Sequence, residues 1–272
     1  MLFIATSSLH QREPLPGTLY FDYTRIETPF YEYSIQKEIF ESFPNLPFFG
    51  VISERFSSKC NIEIDEFVEF IDRQLQNGYR AAVINPFPLT SAMFDNSFQQ
   101  AHFSGHSGLH DIANELGILE DPNEFQNQVA LSYCQYAYFS REVWREYFEF
   151  VDGVMEVAEK DLKIRQYLGE TGTYQKNKNV SLWVFLIERL FGQFLIRLNN
   201  KDLIVFDDKL VARRKYGNKY GAFLRLKSER DCFENSRIPE DYKKWHESRV
   251  YYLKNPEILP LPILEEPNRA ND

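Results

Sequence analysis

Residues 48–84, FFGVISERFSSKCNIEIDEFVEFIDRQLQNGYRAAVI, carry the clearest indication of the fold. Apolar runs of strand length stand at the two ends of this stretch, and a helix-like pattern lies between them over 61–75. The apolar side chains of this middle part fall on one helix face: Ile64, Phe67, Val68, Ile71 and Leu75. Asn61 is the predicted N-cap of this helix, and Gly78 is its predicted stop. Strand, helix and strand at this spacing predict a βαβ unit in a mainly parallel sheet.

The rest of the chain extends the same α/β pattern. Further strands are predicted at 2–5, 18–23 and 129–139, and further helices at 35–43, from Ser140 onward, at 182–198 and at 239–253. The helix at 182–198 is apolar nearly all round, so it should be buried on most sides. We therefore expect one α/β domain over residues 1–255, a C-terminal helical or hairpin appendage after residue 199, and a Pro-rich tail over 256–272.

Composition excludes several classes of function. The 272 residues carry a net charge of −9, which disfavours binding to nucleic acid because its phosphates would be repelled. The three cysteines are widely spaced and odd in number, so the sequence predicts neither a disulfide framework nor a zinc site. The longest apolar run, at 180–187, is too short to cross a bilayer, and the first residues do not resemble a signal peptide. These features predict a cytoplasmic protein.

Polar side chains follow two of the predicted strands. Glu54 and Arg55 come directly after the strand at 48–53, and Asn85 follows the strand at 79–84. Ligands of open α/β sheets bind beyond the carboxyl ends of strands. Glu54 could therefore act as a base, Arg55 could hold a phosphate, and Asn85 could contact substrate. The alternative is an ordinary strand end with solvated charges, and a turn-forming role for Asn85.

Three histidines lie within nine residues, at His102, His106 and His110. Their spacing suits one helix face and a metal site, but Gly105 and Gly108 argue against a continuous helix through them. A contact with sugar or phosphate and a plain surface location are the other interpretations. The Asp-x-Asp pair that many sugar-nucleotide enzymes place after a central strand is absent here, so Mn²⁺ or Mg²⁺ has no predicted ligand pair.

Two further groups of charged residues have sequence surroundings that suggest a role. Glu188 and Arg189 lie inside the apolar helix, where an unpaired charge is costly, so they predict either a substrate site or a structural ion pair. Arg213 and Arg214 belong to the concentrated basic stretch at 209–221, whose glycines and tyrosines indicate a mobile loop. That loop could close on a diphosphate or approach anionic lipid, or it could be a solvated run of charges.

Taken in order, five segments resemble a bacterial family found in capsule and lipopolysaccharide gene clusters. They are GVISERF at 50–56, NPF at 85–87, the stretch from Asn96 to Gly108, SYCQY at 132–136 and IERLF at 187–191. The family is similar to capsular-polysaccharide glycosyltransferases that carry a helical Glu-Arg-Leu motif, and the resemblance covers residues 18–198. It implies a GT-A-like fold, meaning a Rossmann-like nucleotide-sugar sheet. The chain departs from the family pattern at Ala101, His102 and Ser107.

The resemblance implies transfer of a sugar from a nucleotide sugar to a glycan or lipid-linked acceptor, in the cytoplasm or against the inner face of the membrane. Glu54 or Glu188 would be the base, and the substrate contacts would come from Arg55, Asn85, Asn96, Gln100, His102, His106, Arg189, Arg213 and Arg214. The alternatives are a non-catalytic glycan-binding or assembly protein on a degenerate transferase scaffold, and a phospho-sugar hydrolase. The transferase hypothesis requires five of these side chains to share one cavity: Glu54, Arg55, Asn85, His106 and Arg189.

Overall fold

A computed structural model describes residues 1–7, 13–103, 105–106, 108–119, 121, 124–132, 134–175, 178–198 and 202–259. The strands in this part of the chain are β1 Leu2–Thr6, β2 Thr18–Asp22, β3 Phe48–Ser53, β4 Ala81–Val83, β5 Ala137–Ser140, β6 Thr171–Gln175, β7 Lys178–Ser181 and β8 Leu203–Val205. The helices are α1 Glu32–Ser42, α2 Phe56–Cys60, α3 Ile64–Gln76, α4 Pro88–Met93, α5 Ser97–Phe103, α6 Gly108–Glu115, α7 Arg141–Lys160, α8 Leu162–Gly169, α9 Leu182–Arg197, α10 Asp208–Tyr216, α11 Tyr220–Ser236 and α12 Pro239–Lys254. The family positions Ser107 and Tyr133 and the tail from residue 260 onward lie outside the described residues.

The main sheet has six strands in the order β2-β1-β3-β5-β4-β8. Every neighbouring pair is parallel except the two that involve β5, which runs antiparallel to both β3 and β4. Ala137 of β5 lies opposite Val51 on one side and opposite Val83 on the other. The predicted α/β class and mainly parallel sheet are confirmed. The predicted βαβ unit is correct in strand direction, but its two strands are not neighbours because β5 lies between them.

Both faces of the sheet are covered, which explains why its strands are apolar without a polar alternation. On β1, Phe3 packs into a core formed with α1, α7 and α9, whereas Leu2 and Ile4 pack into a second core with α2 and α3. Trp144 of α7 stacks on Phe49 of β3 at 4.9 Å between ring centres. Its indole N–H also donates to the Phe49 carbonyl at 2.9 Å. The helix α9 is buried along most of its length, as predicted.

In the region after residue 199, the predicted helix at 239–253 is confirmed as α12, but the described residues between 202 and 238 do not form the predicted hairpin or loop. Its first element, β8, joins the main sheet by pairing in parallel with β4, and three helices follow. Within the part of the chain that the structure describes, the hairpin is β6–β7, which precedes α9. The helices α11 and α12 pack over α4, where the indole N–H of Trp245 donates to the Ala92 carbonyl at 2.9 Å. A buried ion pair of 2.9 Å between Arg249 and Asp95 also links α12 to the α4–α5 turn.

Two local predictions are also corrected. The predicted strand at 129–139 is a short 3-10 turn at Gln128–Leu131 followed by β5. The backbones of Cys134 and Gln135 are left-handed and interrupt the extended conformation there. Asn61 ends α2 in a left-handed conformation, and the N-cap of α3 is Glu63, which exchanges capping bonds with Glu66.

Ser140 is confirmed as an N-cap, because its hydroxyl accepts the backbone N–H of Val143 at the start of α7. Gly78, with a φ of 86°, follows the end of α3 as predicted. Across the described ranges, none of the helices combines the length and apolar character that a bilayer crossing requires.

Candidate functional site

A narrow cavity opens near the carboxyl ends of the parallel strands. β1, β3 and β4 end at this edge of the sheet, and the antiparallel strand β5 begins there. The cavity has a volume of about 20 Å³, room for about one water molecule, against the roughly 300–1,000 Å³ typical of small-molecule sites. Its lining residues come from the start of α1, the lead into β5, β7 and α9: Phe30, Tyr31, Glu32, Cys134, Gln135, Val180, Val184 and Glu188.

The backbone around this cavity is strained. Tyr31, Cys134 and Gln135 have φ values of 49°, 67° and 51°. They account for three of the five non-glycine residues with positive φ in the described chain. Such conformations cost about 1–3 kcal/mol each and persist only where the surroundings hold them. Gln36 and Tyr147 hold Gln135, the first by donating to its carbonyl at 3.2 Å and the second by donating to its Oε1 at 3.3 Å.

Two carboxyl groups face the cavity. Glu32 is the first residue of α1, and burial raises the pKa of its carboxyl. The charge of Lys59 opposes this rise in pKa, whereas that of Glu188 adds to it. Glu188 projects from α9 with 24% of its side chain exposed, and its Oε1 accepts the Cys134 backbone N–H at 3.4 Å. The cavity therefore holds two interacting carboxyl groups in different environments, an arrangement that suits acid–base chemistry.

A cation lies beside these carboxyl groups. The Nζ atom of Lys59, in α2, is 3.6 Å from the Cys134 sulfur and 5.5 Å from the centre of the Tyr136 ring. Burial raises the pKa of the Cys134 thiol to about 12, although Lys59 opposes that rise. Because the thiolate is the reactive form, Cys134 is inert as a nucleophile at neutral pH.

Glu54 and Arg55 lie at the same edge of the sheet but do not line this cavity. Both are exposed, and the Glu54 carboxylate accepts the Thr6 hydroxyl at 2.7 Å. Asn85 is buried at the end of β4, where its Oδ1 accepts the Phe87 N–H at 2.9 Å. That bond is typical of a turn-forming asparagine. Asn85 also lines a different cavity, between the ends of β4 and β8.

Arg189, Gln100 and His106 form a buried polar layer against α9. Arg189 donates to the Gln100 Oε1 at 2.7 Å and to the carbonyl of Phe185 at 2.8 Å. It lies 3.7 Å from the carboxylate of Glu188. The His106 ring packs on the Phe185 ring at 4.2 Å, and burial together with the Arg189 charge lowers its pKa. These contacts engage the Arg189 guanidinium with groups of the protein itself.

Asn96 and His102 also lie away from the cavity, the first buried and the second exposed. Asn96 caps α5 by accepting the Gln99 N–H at 2.7 Å, and its side chain donates to the Glu124 carbonyl at 2.9 Å. His102 is exposed on α5, which ends at Phe103, before the positive φ of Gly105. The three histidines therefore do not share one continuous helix.

The predicted mobile basic loop is wrong, because Asp208–Tyr216 is the helix α10. Arg213 is exposed on it. Arg214 forms a two-pronged ion pair with Glu66 of α3, with N···O distances of 2.6 and 2.8 Å. The Arg214 charge is thereby engaged by a carboxylate from a neighbouring helix.

The five side chains that the transferase hypothesis requires in one cavity are therefore not brought together there. Among the predicted site residues, Glu188 lines the cavity. The sequence-based predictions missed Glu32, which lines the cavity, and Lys59, whose Nζ atom contacts the sulfur of the lining residue Cys134. Their local signals are weak: Glu32 begins a helix after a strand and turn, and Lys59 follows a strand end by six residues.

Within the described residues, no group of three or more His, Cys, Asp or Glu side chains is placed to hold a metal ion. Comparison with known proteins gives no identification: no protein-family model, curated protein or solved structure matches this chain.

Proposed function

We propose that the chain is a glycosyltransferase on a GT-A-like scaffold, moving a sugar from a nucleotide sugar to a hydroxyl of a glycan or lipid-linked acceptor. The observation that carries the proposal is that Glu32 and Glu188 flank one cavity at the carboxyl edge of a mainly parallel sheet. Ligands of open α/β sheets bind at this edge. The resemblance of residues 18–198 to capsule-cluster transferases supplies the reaction class.

The proposed chemistry needs a base and a cation. A carboxylate takes the proton of the acceptor hydroxyl, and the acceptor oxygen then bonds to the anomeric carbon. The bond from that carbon to the diphosphate breaks, and the diphosphate leaves with the electron pair. Glu32 and Glu188 are the candidate bases. The raised pKa of Glu32 brings its basicity nearer to neutral pH, and Lys59 is the nearby cation that could offset charge on the diphosphate.

This assignment replaces the roles proposed from the sequence. Glu54 is exposed outside the cavity, so the base role passes to the Glu32–Glu188 pair. Arg189 and Arg214 are engaged by the protein itself, so the cationic role passes to Lys59. The condition set from the sequence, that Glu54, Arg55, Asn85, His106 and Arg189 share one cavity, is not met. This outcome counts against an enzyme as the sequence predicts it, and the transferase proposed here rests on the Glu32–Glu188 pair instead.

A glycan-binding protein without catalytic activity is the second candidate. Its support is the separation of the arginines from the cavity, together with the narrowness of the cavity itself. The phospho-sugar hydrolase loses its support, because His102 is exposed and His106 is buried against Phe185. For the transferase, we propose a cytoplasmic location at the inner face of the membrane, where lipid-linked acceptors are presented.

The test is a thermal-shift screen with uridine, guanosine, cytidine and thymidine diphosphate sugars, with and without Mn²⁺, followed by turnover with the donor that binds. We expect Glu32→Gln or Glu188→Gln to lower turnover by about 100-fold or more while donor binding remains. The exposed Glu41→Gln in α1 is the matched control and should leave turnover unchanged. If no nucleotide sugar stabilises the chain but a finished glycan does, the glycan-binding candidate replaces the transferase.

A further inference from the structure

A second cavity lies between the carboxyl ends of the parallel strands β4 and β8. Its volume is about 230 Å³. Seven of its nine lining residues have polar side chains. The lining comes from the ends of the two strands, the 3-10 turn, α10 and α11: Asn85, Asn127, Gln128, Val129, Ser132, Val205, Asp208, Lys227 and Glu234. The cavity is distinct from the Glu32–Glu188 cavity, and the two have no lining residue in common.

Asp208 is the lining residue that points to a ligand. Its Oδ1 atom is buried, and within the described chain it has no hydrogen-bond partner. The neighbouring Asp207 already caps α10 by accepting the Lys209 N–H at 2.8 Å, so Asp208 is not needed for capping. A buried carboxyl oxygen without a partner costs about 1–3 kcal/mol, which a ligand donor in the cavity would recover.

The walls around Asp208 are held in place by hydrogen bonds between α11 and the 3-10 turn. Lys227 donates to the Gln128 Oε1 at 2.7 Å and to Asp231 at 3.3 Å. The Gln128 amide donates in turn to Asp231 and, at 3.4 Å, to Glu234. The donors and acceptors that face the cavity are therefore positioned before a ligand arrives, which lowers the entropic cost of binding.

The charges select the class of ligand. Asp208, Asp231 and Glu234 disfavour an anion such as a phosphate, and the ammonium of Lys227 offsets part of their attraction for a cation. Burial raises the pKa of Asp208 to about 6, with further contributions from Asp207 and Asp231 that Lys227 opposes. A neutral ligand with several hydroxyl groups suits such a lining, because carboxyl and amide side chains can each both donate and accept when protonation allows.

We propose that this second cavity binds a neutral, polyhydroxylated ligand the size of a sugar ring, with Asp208 bonded to one of its hydroxyl groups. The proposal does not depend on the transfer reaction. The two cavities lie close together in the chain, because Ser132 lines the second and Cys134 lines the first. Two residues of chain span at most about 7 Å between Cα atoms, so a ligand in one cavity lies close to the other.

The test uses methyl glycosides of glucose, galactose, mannose and N-acetylglucosamine. Their binding to the full chain is measured by saturation-transfer NMR and by titration calorimetry. We expect at least one glycoside to bind and Asp208→Asn to weaken its binding by about tenfold, the loss of one charged or strong hydrogen bond. Glu234→Gln is a second variant in the same wall. Asp65→Asn, at an exposed position in the first turn of α3, is the matched control and should bind like the unmodified chain.

Failure of all four glycosides to bind would overturn the proposal, and so would equal binding by the unmodified chain, Asp208→Asn and Glu234→Gln. Thermal unfolding of each variant shows that a loss of binding is not a loss of fold. The outcome is separable from the proposed function. Glycoside binding that depends on Asp208, without any response to nucleotide sugars, would refute the transferase and leave this site standing.

Discussion

Gly192 should not tolerate a methyl group, although it lies in the middle of the helix α9. A Cβ atom built there would be 1.8 Å from the Ala130 carbonyl oxygen and 2.6 Å from its carbon. Ordinary contact begins at 3.4 Å, so the helix and the 3-10 turn would have to separate by about 1.6 Å. Because the obstacle is backbone rather than a flexible side chain, rotation of a side chain cannot relieve it.

The magnitude follows from two opposing contributions to the free energy of unfolding. Replacing a helical glycine by alanine stabilises the helix by about 1 kcal/mol. Overpacking of a core typically costs about 1–3 kcal/mol, and a displacement of backbone places Gly192→Ala at or above the upper end. The net expectation is a loss of about 2 kcal/mol, which lowers Tm by about 4–8 °C in a domain of this size.

The assay is urea unfolding followed by circular dichroism, with Gly153→Ala as the matched control. Gly153 lies within α7 and is exposed, and a Cβ atom added to it would meet no other atom within 4 Å. The control should therefore gain about 1 kcal/mol from helix propensity alone. Unfolding of Gly192→Ala at the same or a higher urea concentration than the unmodified chain would mean that α9 does not approach Ala130 so closely.

Three more outcomes are expected. At pH 7.5, Asp208→Asn should raise the free energy of unfolding by up to about 3 kcal/mol, at roughly 1.4 kcal/mol for each unit by which the pKa is raised. At pH 4 it should have no such effect. The reason is that the pKa of the Asp208 carboxyl is raised from 3.8 to about 6, so the native state loses stability as pH rises through that range. Equal urea midpoints of the variant and the unmodified chain at pH 7.5 would contradict this expectation. Arg189→Met should cost about 2–4 kcal/mol in the same assay, because the Gln100 Oε1 loses a charged donor in a buried layer; a variant of unchanged stability that no longer binds nucleotide would instead restore a substrate role for Arg189. Lys59→Met should raise the pKa of Glu32 further, since the Lys59 charge lowers it, and should move the acidic limb of the pH–rate profile upward; an unmoved limb would remove Glu32 as the base.

Local periodicity is enough to predict much of the fold. The alternation of short apolar runs and 3.6-residue patterns indicates an α/β protein with a mainly parallel sheet, and the uniformly apolar α9 indicates a buried helix. Capping chemistry is also local, so Ser140 is identifiable as the start of α7. The charges and glycines of 209–221 favour a loop, and that prediction is wrong. The apolar residues Val211 and Ala212 pack α10 onto the rest of the molecule instead.

The site residues show which roles cannot be predicted from the neighbouring sequence. Glu188 is identifiable because a charge inside an apolar helix needs a partner or a role. Arg189, its neighbour, is predicted by the same argument but finds its partners within the protein, in Gln100 and a backbone carbonyl. Glu32 looks like an ordinary acidic residue at a helix start. Only its burial against α9 and the lead into β5 distinguishes it.

By itself, the sequence determined the elements with a clear local pattern, such as β3, α3, α7 and α9, because such a pattern depends on neighbours a few positions away. The tertiary structure alone decided that β5 enters the sheet antiparallel between β3 and β4, and that β8 pairs with β4. Strand pairing joins backbone groups that are distant in the chain and carry no side-chain signature. Both cavities depend on those pairings, which is why Glu32 beside Glu188, and Asp208 beside Lys227, could be recognised only after the chain was folded.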